Sequence, residues 1–207
     1  APQVLRSGAD APNAIAVDAA GVYWVEYASG EVWGAIAGGS PKKLSTTAAS
    51  SLFGIALDAD WVYCTEHADD GRVLRMAKAG GALEAVASAQ PSPAGIARMG
   101  ASLFWVTTFG PEVTRLDPGG APVVITIEPE GQIGATMIAV DGDGAFWSQA
   151  HKKTAIEGWV KRVDPDGGEP VQLTPKLVEP RGLAVDSTHV YFTDVAAGRV
   201  ARVSKGR

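Results

Sequence analysis

Apolar positions along this chain come in short runs, each broken within a few residues by Gly, Pro or Asp. No segment repeats them at the three-to-four spacing of an amphipathic helix. The runs are rich in Val, Ile, Tyr, Phe and Trp, which suit a pleated, half-buried surface. The pattern predicts many short β-strands joined by tight turns. One pair of runs, AIAVD (14–18) and VYWVE (22–26), returns almost unchanged as GIALD (54–58) and VYCTE (62–66).

Aligning the chain on itself gives five such units. Their first strands read AIAVD (14–18), GIALD (54–58), GIARM (95–99), MIAVD (137–141) and GLAVD (182–186), at intervals of 40, 41, 42 and 45 residues. The second strands read VYWVE, VYCTE, LFWVT, AFWSQ and VYFTD. After a polar loop come GEVWGAI, GRVLRMA, PEVTRLD, GWVKRVD and GRVARVS. A glycine-rich turn and a last strand close the first four units with PKKLS, ALEAV, PVVITI and PVQLT. The units fall at 13–51, 52–92, 93–133, 134–179 and 180–207.

Four short antiparallel strands recurring about every 41 residues are the pattern of a β-propeller blade. One such sheet cannot cover both of its faces, so blades must stack. Tyr23, Tyr63, Phe104, Phe146 and Tyr191 share one equivalent position, and Trp24, Cys64, Trp105, Trp147 and Phe192 share the next. Rings there would wedge between blades, each burying roughly 150–250 Å². The fifth unit stops after its third strand, while PQVLRS (2–7) stands ahead of the first unit as a spare strand. The expectation is one all-β domain, a five-bladed β-propeller of four-stranded blades, with the N-terminal strand closing the last blade. A six-bladed ring missing a unit, or completed by another chain, is the alternative.

The motifs Tyr23-Trp24-Val25-Glu26, Tyr63-Cys64-Thr65-Glu66 and Tyr191-Phe192-Thr193-Asp194 resemble degenerate YWTD repeats, which build the propellers of lipoprotein-receptor ectodomains. GIALD and GLAVD also resemble NHL-type repeats and propellers of the bacterial secreted type. The resemblance covers the whole chain and implies an architecture. It implies no single activity, because that superfamily holds receptors, scaffolds, lyases and hydrolases. Receptor propellers have six blades against five units here, so ligand positions are not carried over.

Composition narrows the partners. The net charge of −5, from 18 basic and 23 acidic residues, lacks the basic stripe a nucleic-acid partner needs. No apolar run is long enough for a membrane span. Cys64 is the only cysteine, which excludes an intramolecular disulfide.

Loops after the second strands, and segments entering the first strands, should gather on one rim. The second strands end there with Glu26, Glu66, Thr107, Gln149 and Asp194, and the first strands enter with Asn13, Phe53, Ala94, Thr136 and Arg181. These positions vary in chemistry while the strands around them do not. Three carboxylates with Asn13 and Gln149 would suit a hard cation such as calcium. The YWTD resemblance implies instead that the terminal acid is structural, accepting hydrogen bonds within its blade. Arg181, the one basic residue of the ten, would either grip an anionic group or balance nearby acids. The loop AHKKTAIEG (150–158) is the longest of its class and is locally basic through His151, Lys152 and Lys153. His67 directly follows Glu66, a pairing that can serve as a base with its orienting group. His189 reads as structural, and the Asp–Gly runs DGDG (141–144) and DPDGG (164–168) as ordinary turns.

The sequence thus points to a non-catalytic binding module. Its ligand-binding residues would be Asn13, Glu26, Tyr27, Phe53, Glu66, His67, Gln149, His151, Arg181 and Asp194. The partner would be a small molecule, glycan or peptide, with no cofactor, and the protein a secreted or periplasmic monomer. The alternative is a propeller-type lyase or hydrolase using acid–base chemistry at His67, His151 and the carboxylates. A plain structural spacer is the third reading.

Overall fold

The computed structural model describes residues 4–109, 112–127, 134–151 and 157–206, apart from the side chains of residues 150 and 151. The protein is an all-β, five-bladed propeller of mostly four-stranded antiparallel sheets. Blade 1 comprises β1 (Pro12–Asp18), β2 (Gly21–Glu26), β3 (Glu31–Ile36) and β4 (Lys42–Lys43). Blade 2 comprises β5 (Leu52–Leu57), β6 (Trp61–Glu66), β7 (Gly71–Ala77) and β8 (Glu84–Gln90). Blade 3 comprises β9 (Pro93–Met99), β10 (Ser102–Thr107), β11 (Glu112–Leu116) and β12 (Val123–Ile127). Blade 4 comprises β13 (Ala135–Asp141), β14 (Gly144–His151), β15 (Glu157–Val163) and β16 (Val171–Gln172). Blade 5 comprises β17 (Pro180–Val185), β18 (His189–Asp194) and β19 (Arg199–Ser204). Ala1–Pro93 and Ala94–Arg207 form two compact units. No described helix is long and apolar enough to cross a membrane.

Each unit holds its own apolar core between blades. In the first, Tyr23, Val25 and Val32 of blade 1 pack with Leu52, Val62, Cys64 and Leu74 of blade 2. In the second, Phe146 and Val160 of blade 4 pack with Val190 and Phe192 of blade 5. The wedging rings expected from the repeat are buried at Tyr23, Phe104 and Phe146. Tyr63 and Tyr191 are half-buried instead. Their hydroxyls donate to Asp58 and Asp186, each at 2.8 Å. Burial holds the Cys64 thiol protonated, with its pKa pushed up to about 12.

Two buried lysines lie at equivalent positions just after third strands. Lys78 reaches from blade 2 to the Asp18 carboxylate of blade 1. Lys205 reaches from blade 5 to Asp141 and Asp143 of blade 4. Each ammonium also lies over a ring of the earlier blade, Tyr23 at 5.6 Å and Phe146 at 5.5 Å. Sequence reading passed over both.

One expectation fails among the described residues. The last sheet has three strands, and residues 4–7 carry no strand. The reason is local. The Arg6 guanidinium lies 3.5 Å from the centroid of the Trp33 ring, and its Nε donates to Glu26 at 2.7 Å. Those contacts tie the segment to blade 1. Pro2 and Gln3 of the expected strand lie outside the described residues.

Candidate functional site

The first strands begin two residues earlier than their apolar runs suggest, and β1, β5, β13 and β17 each carry an irregularity at the entry. Pairing slips between Pro12 and Ala14, Leu52 and Ile55, Ala135 and Met137, and Pro180 and Leu183. A bulge of this kind frees a side chain from the two-residue alternation of the strand. The residues inside these slips are Asn13, Phe53, Thr136 and Arg181, four of the five entry positions that vary along the repeat. In blades 2 and 5 the bulge N–H is taken up by a threonine of the second strand. Gly54 N donates to Thr65 Oγ1 at 2.8 Å and Gly182 N to Thr193 Oγ1 at 2.9 Å. Ahead of the first four first strands stands a residue with left-handed backbone: Ala11, Ser51, Ser92 and Gly134. Three of these are not glycine, a strained choice that the surrounding turn holds in place.

The three carboxylates are engaged within the protein. Glu26, Glu66 and Asp194 are buried, and each ties the segment entering its own blade. Glu26 accepts from Asp10 N at 2.8 Å, Glu66 from Ser50 N at 2.9 Å and Asp194 from Glu179 N at 2.7 Å. Each also meets a guanidinium: Arg6, Arg72 and Arg199 respectively. The Arg72 bond is the main cause holding the Glu66 carboxyl below its usual range. Burial pushes the Glu26 and Asp194 carboxyls up, but the arginine and backbone N–H bonds outweigh it, and both end lowered. These are hydrogen bonds of the kind that the YWTD resemblance implies. No cluster of three or more metal-ligating side chains occurs among the described residues.

The arginine partners were legible but unread. GRV opens the third strand in blades 2 and 5, the two blades pairing their acid with Arg72 or Arg199. Blade 1 reads GEV, and Arg6 supplies the missing guanidinium from the amino-terminal side. Thr107 and Gln149 stand where blades 3 and 4 have no acid, and their third strands open without arginine.

In the first unit the remaining candidates come together. The Tyr27 and Phe53 rings are 6.5 Å apart, edge to face at 79°. Phe53 and His67 are 5.4 Å apart, tilted by 30°. Asn13 Nδ2 donates to the Phe53 carbonyl at 2.7 Å, fixing one blade's bulge on the next. Tyr27 N donates to Ala11 O at 2.9 Å and His67 N to Ser51 O at 3.0 Å, which anchors both rings beside the left-handed turns. Ala11, Pro12, Asn13, Tyr27 and Phe53 line a recess of about 280 Å³. Burial lowers the pKa of His67, which favours the neutral imidazole.

The second unit holds the other candidates separately. Gln149 is buried in β14. Arg181 is exposed at its bulge, with Nε and Nη2 on Glu179 Oε1 at 2.9 and 2.6 Å, and its carbonyl accepts from Ser148 Oγ at 2.8 Å. His151 pairs with Glu157 through the backbone, where β14 meets β15. Lys152 and Lys153 of the basic loop lie outside the described residues.

No protein-family model and no curated protein matches this chain. Solved structures do. A chain of the nidogen/laminin complex superposes with a TM-score of 0.77 at 18% identity, covering 95% of this chain and 76% of that one. The PQQ-bound aldose sugar dehydrogenase of Streptomyces coelicolor gives 0.70 at 18%, covering 99% and 80%. A streptogramin B lyase gives 0.64 at 14%, covering 97% and 82%. At these identities the likeness establishes the propeller fold, which binding proteins and enzymes share.

Proposed function

We propose that this protein is a non-catalytic binding module that seats a single ring, such as a sugar unit, a small organic molecule or a peptide side chain, on its first two blades. The observation that carries this reading is the series Tyr27–Phe53–His67 beside a recess of about 280 Å³. Half-buried rings offer flat apolar faces at little cost in side-chain freedom. Asn13 has its amide nitrogen committed, so its Oδ1 is the acceptor for a ligand hydroxyl or N–H. With Glu26 and Glu66 withdrawn into their blades, affinity rests on stacking, and neutral ligands are preferred.

A thermal-shift screen with neutral saccharides and aromatic metabolites tests this, followed by titration of the strongest hit. Phe53→Ala and Tyr27→Ala should each weaken binding about tenfold, in line with roughly 0.5–1.5 kcal/mol for a stacked ring plus its lost area. The melting temperature of the free variants controls for folding. A hit that binds both variants as tightly as the parent would refute the site. Conversion of a bound ligand to product would move the reading to the lyase or hydrolase alternative.

A further inference from the structure

The acids that end the second strands of blades 1, 2 and 5 each meet a guanidinium, but it comes from two different places. In blades 2 and 5 it comes from the sheet itself. Arg72 is the cross-strand partner of Glu66, and Arg199 that of Asp194. In blade 1 the cross-strand partner of Glu26 is Glu31, a second acid. Glu31 is turned to other use, accepting from Trp33 Nε1 at 3.0 Å and from Lys43 Nζ at 3.2 Å. Arg6 serves Glu26 instead, from twenty residues upstream, with Nε on Oε1 at 2.7 Å and Nη2 on Oε2 at 3.4 Å. It lies on a segment that carries no strand.

The Glu26 carboxylate also anchors one wall of the recess. Its Oε2 accepts from Asp10 N at 2.8 Å. Beside that bond, Tyr27 N donates to Ala11 O at 2.9 Å and Ala28 N to Asp10 O at 3.4 Å. These three bonds suture residues 10 and 11 to the end of β2. Ala11 is held there with left-handed backbone, at a φ of 52°, and lines the recess with Pro12, Asn13, Tyr27 and Phe53. Without Arg6, the buried Glu26 would keep its charge opposite Glu31 with no cation beside it. Like charges placed so are unfavourable, and a buried charge that loses its partner is costly. The carboxylate would take up a proton or turn to solvent, and either change weakens its hold on Asp10.

We propose that Arg6 is a positioning residue of the ligand recess: seated on Glu26, it fixes the Asp10–Ala11 turn, and the segment that carries it thereby sets the affinity of the site. The inference rests on the recess being the ligand site. Arg72 and Arg199 cannot leave their acids without parting two paired strands, so those entry turns are fastened within the sheet. Arg6 can leave with its own segment alone. The blade fastened from outside its sheet is also the blade that supplies Ala11, Pro12, Asn13 and Tyr27 to the recess. A neutral ring seated against Ala11 and Tyr27 favours the fastened turn, and the fastened turn favours the ring by the same factor.

Amide hydrogen exchange, followed residue by residue by NMR on the full chain without ligand, tests the positioning. Arg6→Ala should speed exchange at Asp10, Tyr27 and Ala28 by about tenfold, in keeping with the loss of one charged hydrogen bond. Ser50 and His67, which make the equivalent bonds in blade 2, should keep their parent rates. Adding Glu31→Arg to Arg6→Ala puts an arginine where Arg72 stands in blade 2 and should bring the three rates back. Arg6→Gln repeats the comparison should the alanine variant fail to fold. Titration with a neutral phenyl glucoside tests the link to the site. Arg6→Ala should bind it about fivefold more weakly than the parent, at the low end of coupling between sites. Unchanged exchange at Asp10 and Tyr27, an equal rise at Ser50 and His67, or a double variant that stays fast would overturn the proposal. Equal affinity of parent and Arg6→Ala for the glucoside would overturn it too. A parent that does not bind the glucoside would bring down the claim on affinity together with the recess as a ring site, while exchange still decides whether Arg6 positions the turn.

Discussion

At the scale of single residues, the telling group is the set of buried carboxylates. Glu66 joins Ser50 N–H, Ser50 hydroxyl and Arg72 at one point, and its pKa is lowered in the folded protein. A carboxylate with a depressed folded pKa contributes stability above its unfolded value, here 4.5, and that contribution is lost as pH falls through the folded value. Stability should therefore decline below about pH 4.5, the ordinary value for this group. Glu66→Gln should cost about 1 kcal/mol near pH 7, a modest figure because Arg72 is 43% exposed, and much less at low pH. Urea melts of both proteins across that range measure the difference. The sequence placed these acids at the right end of the right strands. It left open whether they serve a ligand or the blade, because that depends on which backbone N–H groups come within reach.

At the scale of elements, second and third strands were legible from their apolar runs. The fourth strands were less so. PKKLS and PVQLT predict five-residue strands, yet β4 and β16 have two residues each. In both blades a hydroxyl ends the ladder. Val32 N donates to Ser45 Oγ and Val160 N to Thr174 Oγ1, each at 3.0 Å, where a strand carbonyl would otherwise accept. Side chains that compete in this way for backbone groups are hard to anticipate from alternation alone. The lysine ties between neighbouring blades act at this scale too. Lys205→Met should destabilise the protein by about 2–3 kcal/mol, because Asp141 and Asp143 would lose the cation between them. That lies at or below the range for a fully buried pair, since the aspartates are 27% and 34% exposed. Calorimetric melting of the variant checks it.

At the scale of the molecule, five similar blades imply five similar gradients of rigidity. Second strands lie between two partners and carry the largest buried rings, including Trp105 and Trp147. The two-residue β4 and β16 sit at sheet edges and are exposed. Amide hydrogen exchange should accordingly be slowest in β2, β10 and β14 and fastest in β4 and β16, as protection follows burial and pairing. Uniform exchange across each blade would contradict this order. The count of blades was visible in the repeat, whereas the path of the amino-terminal segment was not. That segment is held at blade 1 by the contacts of Arg6 with Trp33 and Glu26.

The recurrent bulge at the first-strand entry has a consequence for how such a chain can change over generations. A side chain released from strict alternation answers to neither the core nor the hydrogen-bond ladder. Asn, Phe, Thr and Arg occupy that place in four blades, with the backbone around it little altered. Duplicated modules can thus diverge there one at a time, acquiring new specificity by point substitution while the inherited scaffold stays intact.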